Sequence, residues 1–215
     1  STLGKGSKIQ IISMDNEEAE AETIGMRISA DHFNKKAQWK DFAVLYRGNH
    51  QAKVIEQAFR QLHIPYSISG GQSFFDRAEI RDILAYMRLI ANDQDDPAFI
   101  RAVTTPKRGV GQTTLQQLGE FAASNQLSLF EAIFALEINE VIAERQLKPL
   151  MVFAQFIQRI QDRAHKPVHQ QSPNELLDEM MSYIRYEDYL YDHHDERAAL
   201  SRWQNVLDLL EWLKR

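Results

Sequence analysis

The sequence predicts an α/β piece at the start of the chain, followed by a mostly α-helical domain. Over residues 1–70, short β-rich apolar runs alternate with amphipathic helical stretches, which is how an α/β domain begins. After the helix that is predicted to end near residue 91, no convincing strand pattern appears again, and one helical stretch follows another. These two observations predict an incomplete α/β piece followed by a helical domain.

The first part of the chain is predicted to alternate between strands and helices. Its central run is 42–45, because consecutive apolar residues are typical of a strand covered on both faces in a parallel sheet. Residues 48–51 are predicted to connect this strand to the next helix. In order, the predicted elements are a strand at 8–14, a helix at 16–29, a strand at 42–45, a helix at 53–62 and a strand at 63–68.

Helices with local start signals are predicted to fill the second part of the chain. Asp76 is placed to cap the first of them, and Pro97 suits a first helical turn. Capping-box patterns open further helices at Thr113, Ser128 and Ser172. The predicted helices span residues 76–91, 97–103, 113–123, 129–137, 149–165, 173–184 and 196–214.

Composition and charge exclude several classes of protein. The absence of cysteine from all 215 residues rules out disulfides and thiolate metal sites and favours a reducing compartment, so we expect a cytoplasmic protein. No apolar stretch approaches the length of a membrane span, and the N-terminus lacks a signal-peptide core, so no membrane partner is expected. With a formal net charge of −5, any contact with DNA or RNA has to be local.

Tyr46 and Arg47 end the predicted central strand, and ligands of α/β sheets bind at the carboxyl ends of strands. An aromatic ring can stack on a base, and a guanidinium can bind phosphate through two parallel hydrogen bonds. The pair therefore suits a nucleotide. The alternative is a tyrosine at the rim of the sheet and a surface arginine with no ligand, which is the commoner meaning of this local pattern.

The second candidate site is the loop 105–111, with the sequence TPKRGVG. Its glycines lead into a predicted helix N-terminus, where free amides and the helix dipole favour a phosphate, and Lys107 and Arg108 add positive charge. A Gly-x-Gly turn between helices is how helix-hairpin-helix modules hold a nucleic-acid backbone without reading bases. A plain glycine turn explains the pattern equally well.

Other candidate groups favour structural roles. Phe74 and Phe75, beside two glycines, could stack on single-stranded bases, but core packing of at least one ring is the stronger interpretation. No metal site is expected, because neither the pair His165 and His169 nor the neighbours His193 and His194 complete a ligand set. The tyrosines predicted to pack around the last helix are Tyr183, Tyr186, Tyr189 and Tyr191.

Three motifs occur in a fixed order along the chain: YRGNHQAKVIEQAF, IPYSISGGQSFFDRAEIRDILAYMRLIAN and TPKRGVGQTTLQQLG. Together they closely resemble the Rep/UvrD/PcrA family of superfamily-one DNA helicases, and the GNHQ turn is similar to that of the Rep branch. The resemblance covers nearly the whole chain. It implies that residues 1–70 are the first part of the second RecA-like domain, called 2A, and that residues 71–215 form the mostly helical 2B domain.

The resemblance also implies roles for single residues. Tyr46 matches the aromatic residue that stacks on adenine. Arg47 matches the motif IV arginine that contacts the γ-phosphate, which makes it the candidate catalytic residue, and Gln51 falls in the same motif. Lys53 stands where the family usually has arginine, so no role is assigned to it. The residues implied to contact DNA are Gly70, Gly71 and Phe74 on the single-strand path and Thr105, Lys107, Arg108, Gly109, Val110 and Gly111 at the duplex.

The motor parts that the sequence lacks indicate a fragment of a longer protein. No G-x-x-x-x-G-K-[ST] phosphate loop, acidic metal-binding strand or later arginine motif is present. The resemblance thus implies a piece of a 3′-to-5′ ATP-dependent DNA helicase that uses ATP and Mg²⁺ at full length, with neither expected on the fragment alone. Its implied partners are single-stranded and duplex DNA, with replication or repair proteins and a second copy of the chain as further candidates. The alternative is a non-catalytic DNA-binding or regulatory module with a degenerate nucleotide cleft.

Overall fold

The computed structural model describes residues 8–69, 71–165 and 172–214. The chain divides into two compact units, Ser1–Arg77 and Ala78–Arg215. Each unit buries its own set of apolar side chains. Within the described residues, no helix is both long enough and apolar enough to cross a membrane.

Two helices form the framework of the first unit: α1, Glu17–Lys35, and α2, Asn49–Gln61. The Asn16 side chain caps α1 by accepting a hydrogen bond of 2.8 Å from an amide of the first turn. At Gly25 an added Cβ would lie 2.5 Å from Leu62 Cδ1, so a larger residue would force Leu62 to move. The core consists of Ile28, Phe59 and Ile64, with Ile24, Trp39, Phe42, Val44, Ile55, Leu62 and Tyr66 packed against it.

The predicted strands are absent, and the α/β prediction is wrong for the described residues. The runs 8–14, 42–45 and 63–68 form no strand there. Besides its two helices, the described part of the first unit contains the single 3₁₀ turns Trp39–Asp41 and Phe74–Asp76. A partial RecA-like sheet is therefore not seen in this part of the chain, and the fold is mostly α-helical.

The failure of the strand prediction comes from the difference between an extended backbone and a paired strand. Phe42 and Val44 are half-buried against the core, while Ala43 and Leu45 are exposed, so an alternation with a period of two is present. A strand also needs hydrogen bonds to a neighbouring strand. None of the three runs pairs with another in the described residues, and Leu45 is 95% exposed rather than covered on both faces.

Helices make up the regular structure of the second unit throughout its described residues. They are α3 (Ala78–Ala91), α4 (Asp96–Thr104), α5 (Gln112–Asn125), α6 (Leu129–Ala132), α7 (Ile138–Val141), α8 (Glu144–Ala164), α9 (Pro173–Ile184), α10 (Tyr186–His193) and α11 (Glu196–Leu213). The bounds of α9 and the capping box at Ser128 are confirmed. The box at Thr113 is wrong because Gly111 caps α5, and α8 begins ahead of its predicted start, with Pro149 inside the helix.

Buried carboxylates on α3 connect several helices of the second unit. Asp82 accepts hydrogen bonds from Arg101 Nε on α4 at 2.7 Å and from the Tyr186 hydroxyl on α10 at 2.5 Å. Glu79 pairs with Arg202 on α11 at 2.9 Å. Burial and the nearby Asp82 carboxylate raise the pKa of Tyr186, which keeps its hydroxyl a donor. These pairs satisfy the carboxylates and fix α3 against its neighbours.

Candidate functional site

The connection that carries Tyr46 and Arg47 is shorter than predicted. α2 begins directly after Gly48, so Gln51 belongs to the first turn of the helix. Gln51 Oε1 accepts hydrogen bonds from the Arg47 and Gly48 amides, both at 3.1 Å. The side chain thereby satisfies amides at the start of α2 and holds the preceding backbone on the helix. Its implied contact with a nucleotide stays a prediction.

Tyr46 and Arg47 are accessible at the start of α2. The Tyr46 side chain is 36% exposed, and Arg47 is exposed as well. Among the side chains that the structure describes, which do not include those of residues 49 and 50, no group pairs with the Arg47 guanidinium. Both residues line a groove of about 800 Å³, and Tyr46 also lines a neighbouring cleft of about 220 Å³. An accessible ring beside such a guanidinium is an arrangement that can take a base and a phosphate.

Phe74 and Phe75 are core residues, which confirms the stronger interpretation of this pair. They are 1% and 4% exposed, and their ring centres lie 5.2 Å apart, edge to face. Neither ring can stack on a base in this arrangement. Gly71 is exposed, with no atom within 4 Å of the place where a Cβ would stand. Gly70 lies outside the described residues, so a DNA contact of this segment stays a prediction and would use its backbone.

Two cations lie near the Phe74 ring. Lys53 Nζ is 5.7 Å and the Arg77 guanidinium carbon is 5.5 Å from the ring centre. Both residues also line the 220 Å³ cleft, together with Tyr46 and Gly71. Sequence reasoning left Lys53 without a role and did not consider Arg77. Their positions put positive charge beside the predicted single-strand path, where it would favour a phosphate backbone.

Sequence reasoning also missed Glu56, a carboxylate in the middle of α2. It is 3% exposed and accepts hydrogen bonds from the Phe74 amide at 3.1 Å, the Tyr66 hydroxyl at 3.1 Å and the Ser73 hydroxyl. Three donors satisfy a charge that burial would otherwise penalise. Burial raises the pKa of Tyr66, so its hydroxyl stays protonated. The sequence signal was a charged residue on the apolar stripe of α2, where a specific partner is needed.

In the second unit, the loop 105–111 exposes Lys107, Gly109 and Gly111, while Val110 is half-buried. Gly109 has a φ of +77°, which favours glycine, and Gly111 is the N-cap of α5. A Cβ added at either glycine would meet no atom within 4 Å, so the surface around both is open. Exposed amides at the start of a helix suit a phosphate, but a plain turn has the same geometry.

Arg108 turns inward. Its Nη1 donates hydrogen bonds to the Ala102 carbonyl at 2.9 Å and the Pro106 carbonyl at 2.8 Å, and its Nη2 donates to the Tyr86 hydroxyl. Three ring centres lie between 5.4 and 5.6 Å from the guanidinium carbon. Arg108 therefore ties the loop to α3, α8 and α9, and its phosphate contact stays a prediction. The rings are those of Tyr86, Phe153 and Tyr183.

The backbone carbonyl of Thr105 is held by Tyr86. The Tyr86 hydroxyl donates to the Thr105 carbonyl at 2.7 Å while it accepts from Arg108. Burial raises the pKa of Tyr86, although the charge of Arg108 opposes the shift, so the hydroxyl stays protonated. This chain of hydrogen bonds fixes the backbone on which the exposed Lys107 stands.

The histidine clusters show no ligand arrangement in the described residues. His165, His193 and His194 are exposed, and His169 lies outside those residues. No group of three or more His, Cys, Asp or Glu side chains there could hold a metal ion. Of the tyrosines near the C-terminus, Tyr186 is buried, Tyr183 and Tyr189 are half-buried and Tyr191 is exposed.

Comparison with known proteins shows the family of the chain. Residues 1–215 match the family described as the UvrD-like helicase C-terminal domain. The chain is 42% and 41% identical over 214 residues to the ATP-dependent DNA helicases Rep of Salmonella typhimurium and Escherichia coli, and 36% identical over 210 residues to the ATP-dependent DNA helicase PcrA of Bacillus subtilis. These alignments cover 98–99% of this chain but 28–31% of the relatives, so the chain spans about a third of their length. The resemblance inferred from the motifs is confirmed, and the chain belongs to the UvrD-like helicase family.

Proposed function

We propose that this chain is part of an ATP-dependent DNA helicase that moves 3′ to 5′ on single-stranded DNA. Membership of the UvrD-like helicase family and the names of its Rep and PcrA relatives support this proposal. The observation that carries it is the pair Tyr46 and Arg47, accessible at the start of α2 on a backbone fixed by Gln51.

Residues 1–70 are proposed as the first part of domain 2A, contributing to an ATP site. The ring of Tyr46 stacks on the base, and Arg47 stabilises the negative charge that develops on the transferred phosphoryl group. The sequence has no phosphate loop and no acidic metal-binding strand, so the groups that hold Mg²⁺ and the remaining phosphates belong to other parts of a longer protein. The chain alone is therefore expected to bind no ATP or Mg²⁺ and to be inactive.

Residues 71–215 are proposed as domain 2B, which contacts duplex DNA through the loop 105–111. Lys107 and the backbone at Gly109, Val110 and Gly111 hold duplex phosphates, a contact that carries no sequence information. Arg108 donates hydrogen bonds to backbone carbonyls, and the Thr105 carbonyl accepts one from Tyr86. These bonds support a positioning role for Arg108 and Thr105, in which they hold the loop so that it can contact the DNA.

Gly70, Gly71 and the backbone of Phe74 are proposed to line the path of single-stranded DNA. The nearby charges of Lys53 and Arg77 support this proposal. Replication or repair proteins and a second copy of the chain are candidate partners of the whole protein. The expected cytoplasmic location stays a prediction.

Comparing the chain with the full-length protein tests this proposal. The purified 215-residue chain should release no phosphate from ATP, with or without single-stranded DNA. The full-length protein should show turnover stimulated by single-stranded DNA, and it should unwind a duplex with a 3′ tail but not one with a 5′ tail. DNA-stimulated turnover by the pure chain would overturn the proposal. Absence of turnover from the full-length protein would also overturn it, and is the result that a regulatory module with a degenerate cleft predicts.

A further inference from the structure

Helix α2 holds both of the first unit's candidate ligand-binding segments. In its first turn, Gln51 accepts hydrogen bonds from the Arg47 and Gly48 amides at 3.1 Å. In its middle, Glu56 accepts hydrogen bonds from the Ser73 hydroxyl and, at 3.1 Å, the Phe74 amide. A helix rises about 1.5 Å per residue, so these two anchors stand roughly 7.5 Å apart along one rigid element.

The hydrogen bonds to Glu56 strongly constrain the second segment, which contains Ser73 and Phe74. The carboxylate is 3% exposed, and loss of any donor would leave part of a buried charge without compensation. Tyr66 supplies the third donor, at 3.1 Å, and its own oxygen accepts from Arg60 Nε at 3.0 Å. Ser73 also accepts from a backbone amide of the 3₁₀ turn that follows, at 3.2 Å. The start of that turn is thus fixed to α2 by hydrogen bonds as well as by packing.

The cleft of about 220 Å³ shows how close the two segments are. Its lining includes Tyr46 from the proposed nucleotide site and Gly71 from the proposed single-strand path. Glu56 lines the same cleft. A ligand that displaces one segment therefore acts on a helix that is bonded to the other. Neither Gln51 nor Glu56 needs to touch a ligand for this to occur.

We infer that Glu56 is a positioning residue that couples nucleotide binding at Tyr46 and Arg47 to the single-strand contact beside Ser73. This inference rests on the proposed function. Nucleotide binding moves the Arg47 segment, Gln51 carries the movement to α2, and Glu56 carries it to Ser73 and Phe74. By linkage, DNA at the second segment changes the affinity for nucleotide by the same factor.

The test uses the full-length protein and measures the dissociation constant of single-stranded DNA with and without a non-hydrolysable ATP analogue. Ser73→Ala removes one donor to Glu56, and Ser73→Thr restores a hydroxyl at the same position. Tyr66→Phe removes a donor from outside the DNA segment and is the matched control. Turnover of ATP by the wild-type protein is measured in parallel, because it reports on the proposed function independently.

We expect the analogue to change the wild-type dissociation constant by about fivefold or more, and Ser73→Ala to bring that ratio close to one. Ser73→Thr and Tyr66→Phe should keep the wild-type ratio. A purely structural role would instead weaken DNA binding equally in both states, and that result overturns the inference. A wild-type ratio near one in a protein that hydrolyses ATP overturns the inference alone, whereas absence of turnover removes the proposed function and the inference together.

Discussion

Replacement of Arg108 by alanine should destabilise the second unit. The Ala102 and Pro106 carbonyls and the Tyr86 hydroxyl would each lose a donor, and the contacts of the guanidinium with three rings would disappear. A hydrogen bond from a charged donor contributes about 1.5–3 kcal/mol, but bonds that share one side chain do not add, and water can replace some of them in this half-buried loop. We expect the free energy of unfolding to fall by about 2–4 kcal/mol.

Thermal unfolding of the 215-residue chain, followed by circular dichroism, measures this loss. For a chain of this size, about 1 kcal/mol corresponds to about 2–4 °C, so the Tm of the second unit should fall by about 4–16 °C. The exposed neighbour provides the matched control, since Lys107→Ala should change the free energy of unfolding by less than about 0.5 kcal/mol. Arg108→Lys keeps the charge but not the planar fork, so it should recover less than half of the loss. Equal Tm values for Arg108→Ala and Lys107→Ala would refute an anchoring role.

Two further predictions concern pH and DNA. The pKa of Tyr186 is raised in the folded state, so the neutral phenol contributes to stability. This contribution is complete below about pH 10, the pKa of tyrosine in the unfolded chain. It is lost as the pH rises further, because the phenol of the unfolded chain ionises first. Urea midpoints measured between about pH 8 and pH 11 should therefore fall less steeply in Tyr186→Phe than in wild type, and equal slopes would contradict this role. In the full-length protein, Lys107→Ala should reduce the salt dependence of binding to a 3′-tailed duplex by about one unit of slope and leave binding to the tail alone unchanged. No effect on either substrate would mean that the loop is a turn without a DNA contact, and equal losses on both would contradict a contact specific to the duplex.

Elements with a signal confined to a few neighbouring residues could be predicted from the sequence. Ser128 and Glu131 cap α6 reciprocally because both partners lie within one turn. The apolar repeat of 173–184 also gave the bounds of α9. Strand pairing could not be obtained in this way, since the run at 42–45 shows an extended alternation but the chain sequence does not reveal which backbone, if any, lies beside it.

The same distinction between local and distant signals applies to the residues of the candidate site. The accessible pair Tyr46 and Arg47 could be located because it follows an apolar run and precedes a helix. The roles of Glu56 and Arg108 could not, because the donors to Glu56 and the aromatic partners of Arg108 are distant in the sequence. The donors to Glu56 lie 10, 17 and 18 residues away, and the Tyr86 hydroxyl lies 22 residues before Arg108. Whether a charged side chain faces solvent or the interior is decided by such distant neighbours.

The measurement that tests the central proposal most directly is the steady-state ATPase activity of the full-length protein carrying Arg47→Ala, with the exposed Arg27→Ala on α1 as a matched control. An arginine that acts on transition-state charge should lower kcat by about 10³-fold or more when removed, while the dissociation constant of ATP changes by less than about threefold. Arg27→Ala should leave both quantities at their wild-type values. A change confined to nucleotide affinity, with kcat retained, would make Arg47 a ground-state contact and contradict its proposed catalytic role.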